Sequence, residues 1–158
     1  MALQNLFLES VSAVTATKPA GLALGTVRWE NNKRYVYVYN DGSSPIYPGY
    51  AGVMTSGSGY SVTVTHSAGR GHAVGIVENT TFTTATYGWL LTEGVANFHA
   101  TSACSQTGST IFLSTDGGFA PASALTWGST TVFPGVAGVT LAAVSAGVSG
   151  LGRFKMLG

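Results

Sequence analysis

The sequence predicts an all-β protein, a single β-barrel or β-sandwich domain, and three observations carry that prediction. Glycine fills 22 of 158 positions, a load that helices tolerate poorly. The apolar segments are short, rich in Val, Thr and Tyr, and several alternate strictly with polar residues, the period of a strand. Turn residues interrupt them at short intervals. From ordinary strand lengths, roughly eight to twelve strands are expected.

Residues 1–20 read as an extended N-terminal arm or edge strand. Leu3, Leu6, Phe7, Leu8, Val11 and Val14 are apolar but keep no sustained period, and Pro19 and Gly21 close the segment. Residues 21–158 form the domain. Its clearest local feature is a hairpin, Thr26–Trp29 and Arg34–Tyr39 around the turn Glu30-Asn31-Asn32-Lys33. Val36 and Val38 share one face of the second strand and should meet the core. Tyr35, Tyr37 and Tyr39 share the other and are candidates for a subunit interface, where tyrosine is enriched.

Asn40–Pro45 is a turn by composition, and residues 46–59 read as a loose Gly- and Ser-rich link. Tyr60–His66 alternates as a half-exposed strand. The central stretch, residues 71–100, predicts a strand Ala73–Val77, a strand Tyr87–Thr92, a turn at Glu93-Gly94 and a further strand Val95–His99. Thr101–Ser109 is a polar loop, Thr110–Ser114 a strand, and Asp116-Gly117-Gly118 a turn. Residues 119–133 are poorly patterned. Residues 135–157 repeat the central pattern, an apolar strand holding a glycine followed by a second Gly-containing strand. The domain should therefore use such a strand pair twice.

Composition narrows the function. Only 8% of the residues are charged, against about 25% in an ordinary soluble domain. A surface so poor in charge suits one that is covered in an oligomer or larger assembly. The formal net charge of +1 offers no basic stripe, so no nucleic-acid partner is expected. Cys104 has no cysteine partner within the chain, which excludes a disulfide scaffold. The N-terminus lacks the basic region of a secretory signal. No apolar run suits a spanning helix, the best being broken by glycines and a proline. A soluble protein made in a cytoplasm, with no membrane partner, is expected.

Catalytic chemistry is thinly represented. His66, His72 and His99 match no compact metal-ligand motif. Ser58 and Ser149 complete no nucleophile elbow, and Cys104 with His99 lacks an orienting third group. The carboxylates Glu9, Glu30, Asp41, Glu78, Glu93 and Asp116 suggest no acid–base pair, and no phosphate-binding loop or dinucleotide fingerprint occurs. The expectation is a protein without catalytic residues, metal or cofactor.

Four segments together resemble the capsid decoration (cement) proteins of tailed bacteriophages: Val74–Val77, Tyr87–Gly94, Gly108–Gly118 and Val136–Leu157. The resemblance covers most of the chain beyond about residue 22 and rests on pattern and glycine placement. It implies a small β-module, commonly a homotrimer, that sits on the outer capsid surface, binds the major capsid protein and stabilises capsomer contacts. Within it, residues 1–20 would be a capsid-docking arm with Leu6, Phe7 and Leu8 as contacts, and Tyr35, Tyr37 and Tyr39 would join subunits. A different class is also open: a phage fibre, tail or adhesin-like β-module that binds a host-surface carbohydrate, with Tyr47, Tyr50 and Tyr60 stacking on sugars.

Overall fold

The hairpin forms where the sequence placed it. Strand β1 (Val27–Glu30) and strand β2 (Lys33–Asn40) pair antiparallel with Glu30 opposite Lys33. Asn31 and Asn32 between them both take positive φ, 50° and 62°. A two-residue loop of this kind matches the twist of the flanking strands, and Asn tolerates it better than most residues. The structure, a computed structural model, describes residues 10–55, 60–64, 73–114, 116–121 and 136–156. Among these there is no helix.

Eight further strands follow: β3 (Ala51–Met54), β4 (Ser61–Thr63), β5 (Ala73–Ile76), β6 (Thr86–His99), β7 (Thr110–Leu113), β8 (Phe119–Pro121), β9 (Val136–Thr140) and β10 (Ser149–Lys155). They hydrogen-bond in the order β1-β2-β4-β3-β5-β6-β10-β9-β7-β8, and β2 also pairs with β6. That extra pairing closes β2, β4, β3, β5 and β6 into a five-stranded barrel. Strand β1 extends it on one side, and β10, β9, β7 and β8 extend it on the other. The repeated strand pairs lie side by side in the sheet as β5-β6 and β10-β9.

The barrel interior is small and filled by aliphatic side chains. Val36 and Val38 of β2, Val62 of β4, Val74 of β5 and Leu90 of β6 pack together, with Ile46, Val77 and Phe82 from the loops. The room for Leu90 comes from two glycines. A Cβ at Gly52 would lie 2.5 Å from Leu90 Cδ1, and one at Gly75 would lie 2.7 Å from the Leu91 carbonyl oxygen. Asn40 is buried at one end with its polar atoms satisfied. Its amide donates to the carbonyls of Ser44, Phe82 and Thr83, and its oxygen accepts from the Gly42 N–H. Such a network ties the loops to the barrel rim without leaving an orphaned group.

A second core lies outside the barrel wall. It joins Leu22, Tyr35, Tyr37, Trp89 and Leu91 to Phe98, Ile111, Phe119 and Phe154 of the extension. Phe98, Phe119 and Phe154 meet with centroids 5.4–6.0 Å apart in edge-on and tilted arrangements, the geometry aromatic quadrupoles prefer.

Three expectations need correction. Both faces of β2 are buried: Tyr35 is 4% exposed and Tyr37 is fully covered. The reason is that the segment leading into the hairpin and the sheet extension cover the barrel's outer wall. Glu93-Gly94 is no turn, because β6 runs unbroken for 14 residues. Gly94 takes φ 137°, a conformation glycine enters freely, and here it lets one strand change partners instead of reversing. Residues up to Glu93 pair with β2, and those from Glu93 onward pair with β10. Finally, the link 46–59 contains strand β3, and the region expected to lack pattern contains β8.

Candidate functional site

The candidate surface follows from register. Residues opposite one another on neighbouring strands share a face. Trp29 lies opposite Arg34, Arg34 opposite Glu93, and Glu93 opposite Lys155, a row across β1, β2, β6 and β10. The next row is Val95, Arg153 and Val139 across β6, β10 and β9. Beyond it Asn97 lies opposite Leu151, whose carbonyl accepts from the Leu141 N–H at 2.8 Å. Strand β10 alternates cleanly: Gly150, Gly152 and Phe154 face the core while Leu151, Arg153 and Lys155 face out.

This outer face has two ends of different character. At one, Leu141 and Leu151 are large, apolar and exposed, and Val148, just before β10, is exposed as well. At the other is a groove of about 580 Å³, lined by Trp29, Asn32, Glu93, Val95, Val139, Arg153 and Lys155 among others. Trp29 is 60% exposed, the most open large apolar side chain described. Glu93, Arg153 and Lys155 take part in neither of the ion pairs found among the described residues, Arg28–Glu30 and Lys33–Glu78.

Several other charged groups among the described residues are engaged locally. Arg28 and Glu30 pair along β1 at 2.5 Å. Glu78 holds Lys33 and accepts the Tyr35 hydroxyl hydrogen bond at 2.6 Å. Asp41 accepts from Thr55, and Asp116 from the Gly118 N–H. No cluster of three potential metal ligands occurs among the described residues.

Burial, and then the hydrogen bond and charge of Glu78, push the Tyr35 phenol well above its ordinary 10.0. Burial likewise raises the Cys104 thiol from its ordinary 9.0. In each case the unfolded chain loses its proton at a lower pH than the folded one. The unfolded state then binds fewer protons, so stability falls as pH rises above the ordinary values. Denaturant titrations from about pH 8 to about pH 11 should show this decline, and Tyr35→Phe should make it shallower above 10.0. Identical slopes for both proteins would remove Tyr35 from the account.

Several residues singled out by sequence lie apart. Leu6, Phe7 and Leu8 fall outside the described residues, as do Glu9, Ser58, His66 and His72. Tyr35 and Tyr37 belong to the chain's own core, with the Tyr37 ring 5.0 Å from that of Trp89. Tyr39 is half-buried against Tyr87. His99 stacks on Tyr50 at 4.6 Å, and Cys104 is buried and bridges to Val144. Ser149 is exposed on β10. The three loop tyrosines do not converge. Tyr50 is engaged with His99, Tyr60 packs over Gly25, and Tyr47 is 55% exposed. The groove residues were missed as a set because positions 29, 93 and 153–155 meet only through strand pairing. The signal available was β1 itself, where Val27 and Trp29 share a face opposite Arg28 and Glu30.

Fold and surface define a class, an all-β module built on a closed five-stranded barrel with an open outer sheet face. Among solved structures the chain is similar to the N base of head fiber gp8.5 of bacteriophage phi29. The TM-score is 0.49 at 12% identity, covering 77% of this chain and 94% of that one. At that level the likeness carries no argument about function. No protein-family model matches the sequence, and no curated protein does.

Proposed function

We propose that this chain is a structural virion protein, a decoration or cement protein bound to the outer surface of a bacteriophage head, where it stabilises contacts between capsomers. The observation that carries this reading is the apolar end of the outer face. Leu141, Val148 and Leu151 are 37%, 47% and 44% exposed in a protein with 13 charged residues, seven basic and six acidic. Exposed apolar patches with few charges around them mark surfaces that are covered on assembly. The sequence resemblance to cement proteins supports the same reading. The partner is the major capsid protein, the oligomer a homotrimer, and Leu6, Phe7 and Leu8 serve as arm contacts. No catalysis is part of the role. A protein that binds only the intact shell stabilises it by mass action.

Light scattering on the purified protein, then co-sedimentation with undecorated expanded capsids, tests the proposal. A trimer should pellet with the shells. Leu151→Lys should weaken pelleting, because it places a charge in the patch, and removal of residues 1–9 should do the same, because it takes away Leu6, Phe7 and Leu8. A protein that stays in the supernatant with shells present would overturn the assignment.

A further inference from the structure

The groove at the Lys155 end of the outer face sets an exposed indole beside three charged side chains, a combination that the docking reading does not use. We infer that it binds an acidic oligosaccharide, with the Trp29 indole as the stacking platform and Arg153 and Lys155 as the groups that select negative charge.

The argument starts from what such a ligand needs. A sugar ring offers an apolar C–H face and a rim of hydroxyls, so its site needs an exposed aromatic face flanked by polar groups that fix orientation. Trp29 is 60% exposed at the groove. Asn32 and Glu93 supply an amide and a carboxylate in the same lining. The volume of about 580 Å³ falls in the range of small-ligand sites, roughly 300–1,000 Å³.

Charge then separates acidic from neutral sugars. Among the described residues two cations and one carboxylate line the groove, and none of the three is held in an ion pair with another of them. In a chain with so few charges, three uncommitted ones on one groove need a function. A guanidinium presents paired donors that match a carboxylate or phosphate, and the surplus of one positive charge favours an anionic partner. Cleavage is not part of the inference. Glu93 is the one carboxylate among the described lining residues, whereas hydrolysis of a glycosidic bond ordinarily takes two. The groove lies at the Lys155 end of β10, next to Leu151 on the same face.

The test uses the purified full-length protein and no capsids, so its outcome is independent of the docking experiment. Calorimetry with oligogalacturonate should show binding that weakens as salt is added, and maltohexaose should bind at least about tenfold more weakly. Trp29→Ala and Arg153→Gln should each reduce oligogalacturonate affinity by about tenfold. Both positions are exposed, and an unchanged thermal midpoint would verify that each variant is folded. Lys155→Gln is a second charge variant should Arg153→Gln misfold. Absence of binding, equal affinity for the neutral sugar, or full affinity in folded Trp29→Ala would each overturn the inference.

Discussion

Phe98→Ala is expected to destabilise the protein by about 4 kcal/mol, the middle of the range for emptying a buried aromatic site. Phe98 is fully buried at the meeting of β6, β8 and β10, where its ring contacts those of Phe119 and Phe154. Its removal strips partners from two other buried rings as well as leaving a cavity. The surrounding backbone is tied into paired strands, so the site has little freedom to collapse. Against a typical domain stability of about 5–15 kcal/mol, this loss is large enough to lower the thermal midpoint well below that of the parent. Urea unfolding measures it. A change below about 1 kcal/mol would mean that the extension sheet folds without this aromatic cluster, and the account of its cohesion would fail.

The second large effect is a coupling inside the barrel. Leu90→Ala should cost about 2–5 kcal/mol, and Gly52→Ala about 1–3 kcal/mol through overpacking. The new methyl at position 52 would lie 2.5 Å from Leu90 Cδ1, an atom that Leu90→Ala removes. The double variant should therefore be more stable than the sum of the single losses implies, by about 1 kcal/mol or more. Gly75→Ala provides the contrast. Its methyl would meet the Leu91 carbonyl oxygen at 2.7 Å and Leu90 Cβ at 2.8 Å, atoms that remain after Leu90 is truncated. Little rescue is expected there. Simple additivity for the pair at 52 and 90 would mean that the two side chains do not compete for the same space.

These outcomes bear on the proposed function because the outer face is only as well ordered as the two cores beneath it. Gly152 and Phe154 face the phenylalanine cluster while Leu151, Arg153 and Lys155 face outward from the same strand. The alternation that buries one set displays the other. Phe98→Ala should then weaken capsid docking and sugar binding together, whereas Trp29→Ala should affect sugar binding alone.

Much of the fold was legible because its signals are local. The Asn31-Asn32 turn fixes the first hairpin, the repeat of the central pattern marks β9 and β10, and Val- and Tyr-rich runs mark β2 and β6. What the sequence by itself determined is the all-β class, the positions of most strands, and a surface too poor in charge to resemble that of an ordinary soluble domain. The tertiary structure alone decided the rest. It turned Ala51–Met54 into a barrel strand by supplying β4 and β5 as partners, and it carried β6 straight through Gly94 by supplying β10. It buried both faces of β2, and it left the Trp29 face of β1 open. Periodicity states that a strand has two faces, but which of them is covered depends on segments far away in the chain. The groove is the sharpest case: Trp29, Glu93, Arg153 and Lys155 become neighbours only when four strands pair in register, and no local pattern encodes that register.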